Sequence, residues 1–103
     1  MKVHLTKLQI EEIAHKMCII RDEPELQSVY LISPLDADEL AHFWLNVEHG
    51  IVDFASRYRG MIVNELQDVN NAHLSNWQDC GDAFSGGLYR SIFAAIKKLN
   101  EAS

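Results

Sequence analysis

The chain has 103 residues, 48 % of them apolar and 23 % charged, with a formal net charge of -6. That composition excludes a disordered tail and fits one domain over residues 1–103 with a core of its own. No apolar run approaches the ~20 residues that cross a bilayer, and residues 1–6 lack the apolar core of a signal peptide, so the expected setting is cytoplasmic with no membrane partner.

In chain order, Thr6 with Gln9 three residues later has the pattern of a capping box, and predicts a helix through about Arg21. Its apolar stripe is Ile10, Ile13, Met17 and Ile20, with Ala14 alongside. Asp22-Glu23-Pro24 reads as a new helix start, since acids suit the positive end of a helix dipole and Pro is tolerated in the first turn. Leu26 to Ile32 reads either as a short helix or, over Ser28–Ile32, as a strand paired with residues 2–5.

Ser33-Pro34 breaks the chain, and Asp36 with Glu39 predicts a second capping box. From there the helical period continues to about Asp68, with Leu40, Phe43, Trp44, Val47, Ile51, Phe54, Ala55, Tyr58, Met61 and Ile62 on a wide apolar arc. An unbroken helix of that length outgrows a domain of this size, so it must bend at Gly50 or Gly60 or be covered by a second copy. Residues 69–81 read as a fraying helix end or a structured loop. The last helix is capped by Asp82 or Ser85, with Phe84, Leu88, Ile92, Ala95 and Leu99 on its stripe. The expected fold is all-α, a bundle of four to five helices around a long central one. The alternative is an α+β fold with a small two-stranded element from residues 2–5 and 28–32.

The charge is unevenly spread. Between Arg21 and Arg57 there is no Lys or Arg, and eight acids lie in that gap. On a helix, Asp38, Glu39, His42, Asn46, His49 and Asp53 share one face, uninterrupted by a cation. Asp38/His42 and His49/Asp53 are each four residues apart, a spacing at which a carboxylate favours the imidazolium. Glu48 and Arg59 point instead into the apolar arc, as does Glu65. A charge there needs a partner or an interface.

Chemistry-bearing patterns are few. Glu12/His15 and Glu39/His42 both have the Glu-x-x-His spacing of di-iron carboxylate bundles, which draw further Glu ligands from other helices. Glu39 and His42 fall on the polar face, however, and Glu48 and Glu65 share their segment. His42 and His49, two turns apart, are too distant to share one ion on a continuous helix. Ser85 among Gly86 and Gly87 has no neighbouring base, Cys18 and Cys80 have no adjacent activating group, and no phosphate loop is present. Arg57-Tyr58-Arg59 is the only basic cluster with an aromatic, and most of an acidic surface repels a duplex, so no direct nucleic-acid partner is expected.

These features predict a non-enzymatic interaction protein, of adaptor, immunity or phage- and plasmid-inhibitor type, without a cofactor. It would dock on a basic surface of another protein through the acidic face. Two alternatives are a dimeric metal-binding bundle using Glu12, His15, Glu39 and His42, and a structural oligomer subunit.

Overall fold

A computed structural model describes residues 2–45 and 50–102, with the backbone alone at 43–45. Its elements are β1 (Lys2–His4), α1 (Lys7–Asp22), α2 (Pro24–Val29), α3 (Pro34–Leu45), β2 (Ile51–Asp53), a single 3-10 turn (Ser56–Tyr58), α4 (Arg59–Cys80) and α5 (Ala83–Glu101). The predicted helical bundle is present, with five α-helices among the described residues. A two-stranded antiparallel ribbon is added to it.

Helix α1 forms where the capping box predicts it. Gln9 N donates to Thr6 Oγ1 at 3.3 Å, and Thr6 N donates back to Gln9 Oε1 at 2.9 Å, so two backbone donors without helical partners are satisfied together. Its stripe is the centre of the core: Ile13, Met17 and Ile20 are fully buried, packed with Leu40, Ile62, Leu66, Ile92 and Leu99. Each such side chain contributes about 1.5–3 kcal/mol by leaving water. Helix α1 packs against α3, α4 and α5.

Helices α4 and α5 make a hairpin. Asn70 reaches Tyr89, and Arg59 reaches Ala102, so positions rising along one helix meet positions falling along the other. Asp82 caps α5, as expected: Phe84 N donates to its Oδ1 at 3.1 Å, and Ser85 Oγ donates to its Oδ2 at 2.7 Å. These bonds, Ser85's first, hold the Asp82 carboxyl below the usual carboxylate range.

Several expectations are corrected. The Asp36–Asp68 segment is not one helix; it comprises α3, β2, the 3-10 turn and the first half of α4. Gly50 stands at φ +70°, outside the helical region, and its carbonyl accepts from Leu5 N at 2.8 Å. The pairing then runs Lys2 with Asp53, Val3 with Val52 and His4 with Ile51. Residues 2–5 do supply a strand, but its partner is β2, and residues 28–32 are helix end and turn. Two buried valines facing each other across this ribbon outweigh the helical period of the surrounding sequence.

The α3 start also moves. Asp36 N donates to Ser33 Oγ at 3.1 Å, which makes Ser33 the cap and puts Pro34 at the first helical position. Asp36 and Glu39 are not a capping box. Finally, residues 69–80 are helical to Cys80, and Phe84, assigned to the inner stripe of α5, is 73 % exposed.

Candidate functional site

Asp38, Glu39 and His42 project from α3 as exposed side chains, and His42 Nε2 lies 3.6 Å from Asp38 Oδ2, so that predicted pair exists. Asp53 arrives from β2 and not from the same helix. The break in the predicted helix nevertheless brings Asp53 back beside Glu39: the two line one cleft of about 300 Å³ with Asp36, Leu40, Phe54 and Tyr58. Asn46, His49 and Glu48 lie outside the described residues.

A second recess of about 210 Å³ continues the cleft past Asp36, Arg57 and Tyr58 to Leu31, Ile32 and Met61. Arg57 Nη2 donates to Tyr58 Oη at 2.8 Å, and its guanidinium sits 4.8 Å from the centre of that ring. Arg57 therefore takes its contacts from an aromatic, which leaves the carboxylates of Asp36 and Glu39 with no ion-pair partner among the described residues.

Beside the cleft the chain exposes an apolar shoulder that the charge pattern did not reveal. Val29 is 71 % exposed, Leu35 81 % and Leu31 92 %. Leu31 also has a φ of +55°, the left-handed region that glycine normally fills. It closes α2: Leu31 N donates to Ser28 O at 3.2 Å, and Ile32 N to Gln27 O at 3.0 Å, the Schellman arrangement.

The turn is held from beneath by side chains the sequence could not connect. Tyr30 Oη donates to Glu65 Oε1 at 3.0 Å, Asn64 Nδ2 donates to Tyr30 Oη at 2.7 Å, and Lys16 Nζ lies 3.7 Å from Glu65 Oε2. Glu65, buried to 7 % exposure, thus has both partners that its position on the arc demanded. Burial raises the Tyr30 phenol above its ordinary pKa; the hydrogen bond from Asn64 opposes that, and the bond to the Glu65 carboxylate with its charge adds to it. Tyr30 therefore remains a donor. Arg59, expected at an interface, has an internal role: its Nη1 donates to Ala102 O at 2.7 Å, a cation at the negative end of α5.

The Glu-x-x-His pairs are not assembled into one centre. Glu12 faces His73 across the α1–α4 contact, Oε1 to Nε2 3.7 Å, while His15 is exposed. Glu39 and His42 are exposed on α3. Among the described residues no three His, Cys, Asp or Glu side chains stand close enough to hold a metal ion. Cys18 and Cys80 are free thiols. No helix among the described residues is long and apolar enough to cross a membrane. Comparison with protein-family models, curated proteins and solved structures finds no match.

Proposed function

We propose that this chain is a non-enzymatic interaction module that docks on a basic surface of a protein partner through the α3 acidic face and the adjoining apolar shoulder. The observation that carries this reading is Leu31. A bulky apolar side chain is held almost fully in water, in a backbone conformation that costs about 1 kcal/mol for any residue with a Cβ. The left-handed turn closes α2, but the Leu31 side chain itself stays in water. A partner that covers Leu31, Leu35 and Val29 would remove that apolar surface from water, which is favourable. Asp36, Asp38, Glu39 and Asp53 around them would set orientation and association rate and exclude acidic partners.

The test is a charge reversal with an apolar control. Asp38→Lys with Glu39→Lys and Asp53→Lys is expected to abolish capture of the partner from the source cells at unchanged helicity, and Leu31→Ser to weaken it at least tenfold. Retained capture by both variants, with cross-links mapping elsewhere on the chain, rejects the reading.

A further inference from the structure

The outer face of α5 combines an apolar knob with charges of both signs. Arg90, Phe93, Ala94, Lys97 and Glu101 are all exposed, and their spacing places them on one stripe of the helix. Phe93 is 57 % exposed and stands between two recesses of about 330 and 500 Å³ that open between α4 and α5. The first is walled by Leu74 and Tyr89, the second by Ile96, Lys97, Asn100 and Glu101. The rings of Trp77, Tyr89 and Phe93 follow one another with centres 6.1 and 6.0 Å apart, which braces the knob from one side. Arg90 is held over the Trp77 ring, 4.9 Å from its centre, at the opposite end of the stripe from Glu101.

We infer that this face is where two copies of the chain meet in a two-fold dimer, α5 antiparallel to α5, each Phe93 seated in the other copy's second recess. A two-fold contact uses one surface twice, so that surface must match itself in shape and in charge. The shape matches because a projecting ring lies beside a hollow. The charge matches because Arg90 and Glu101 stand at opposite ends of one stripe. Set the two-fold axis at the level midway between Ala95 and Ile96. Arg90 of each copy then comes level with Glu101 of the other, and an ion pair forms at both ends. In the same register Phe93 comes level with the other copy's Lys97–Asn100 stretch, where the second recess opens. Ala94 comes level with Lys97, and its small side chain leaves room for the lysine stem.

Electrostatics selects this face over the acidic cleft for a second copy. Each copy carries a formal net charge of -6, so like surfaces rich in acids repel. The cleft gathers Asp36, Glu39 and Asp53 around Arg57, whereas the α5 stripe sets Arg90 and Lys97 against Glu101. The two recesses share no residue with the cleft, so the inference does not rest on the role of the acidic face.

Sedimentation equilibrium of the whole chain tests this. The native chain is expected to pass with rising concentration from its monomer mass of 11.7 kDa to twice that and no further. Phe93→Ser is expected to stay monomeric with unchanged helicity. Arg90→Glu and Glu101→Arg, each alone, set like charges together at both ends of the contact and are expected to raise the dimer Kd about tenfold or more. The double variant Arg90→Glu/Glu101→Arg restores opposite charges in the same register and is expected to recover most of that loss. This charge cycle decides by itself should Phe93→Ser lose helicity. A native chain that stays monomeric up to about 1 mM overturns the inference. So does a mass that climbs past the dimer, a dimer indifferent to a folded Phe93→Ser, or a double variant that associates no better than the single ones.

Discussion

Two corners of this molecule solve the same backbone problem with different residues. At the end of α4, Gly81 takes φ +67°, its N–H donates to Trp77 O at 3.1 Å, and Asp82 N reaches Asn76 O at 3.4 Å. At the end of α2, Leu31 takes φ +55° with a pair of bonds of its own, Leu31 N to Ser28 O and Ile32 N to Gln27 O. The first corner uses the residue without a Cβ and adds the Asp82 cap, so its conformation is specified by the few residues that form it. The second uses a leucine that the conformation disfavours and the solvent rejects. It is specified from a distance, by the Tyr30–Glu65–Lys16 bridge across α1, α2 and α4. A corner fixed by its own few residues and a corner fixed by side chains from other helices are therefore distinguishable.

The largest test of this contrast removes the remote support. Lys16→Met leaves the buried Glu65 carboxylate without its cation and is expected to lower the unfolding free energy by about 3 kcal/mol in urea titration. In that background Glu65→Gln, which still accepts from Tyr30 but carries no charge, should recover most of the loss. Exchanging the corner residues gives smaller and opposite effects. Gly81→Leu should cost about 1 kcal/mol, the left-handed penalty alone, since the space around Gly81 is open. Leu31→Gly should gain roughly 0.5 kcal/mol, strain relief of about 1 kcal/mol less the extra backbone entropy of glycine, while weakening partner binding. A stabilised variant that binds as well as the native chain would remove the functional reason for the leucine.

The smallest effect is a pH dependence confined to the α4–α5 corner. The Asp82 carboxyl is depressed in the fold relative to its ordinary value of 3.8, so its contribution is complete above that pH and is lost as pH falls through the folded value. Amide signals of Phe84 and Ser85 should report that loss below about pH 4. Asp82→Asn, which keeps a capping oxygen and cannot titrate, should flatten it.

How much of this was legible depends on the range of the forces involved. Thr6/Gln9, Pro24, Asp82 and the stripes of α1 and α5 are local patterns within a turn or two of helix, and they predict their elements. The inner position of Glu65 was also readable from helical spacing, together with its need for a partner. The partners themselves, Tyr30 and Lys16, come from other helices and leave no local signal. The acidic face was half legible: Asp38, Glu39 and His42 share α3, whereas Asp53 reaches the same cleft by another route. Leucine, unlike glycine, gives no local signal of a left-handed turn, so the Leu31 corner was not legible. The sequence does not show whether Leu31 is covered.

The sequence by itself determined an acidic chain made mostly of helices, with eight of its fifteen acids on one stretch that has no Lys or Arg, because composition, period and capping act through neighbours along the chain. Only the tertiary structure decided that Ile51–Asp53 leaves the helical path to pair with Lys2–His4, since a strand gains its hydrogen bonds from a partner nearly fifty residues away. It also decided that Glu65 is a paired interior charge and that Leu31 stands in water at the edge of an acidic cleft. Each of these depends on which surfaces meet once the helices pack, and that is settled by shape and burial across the whole domain.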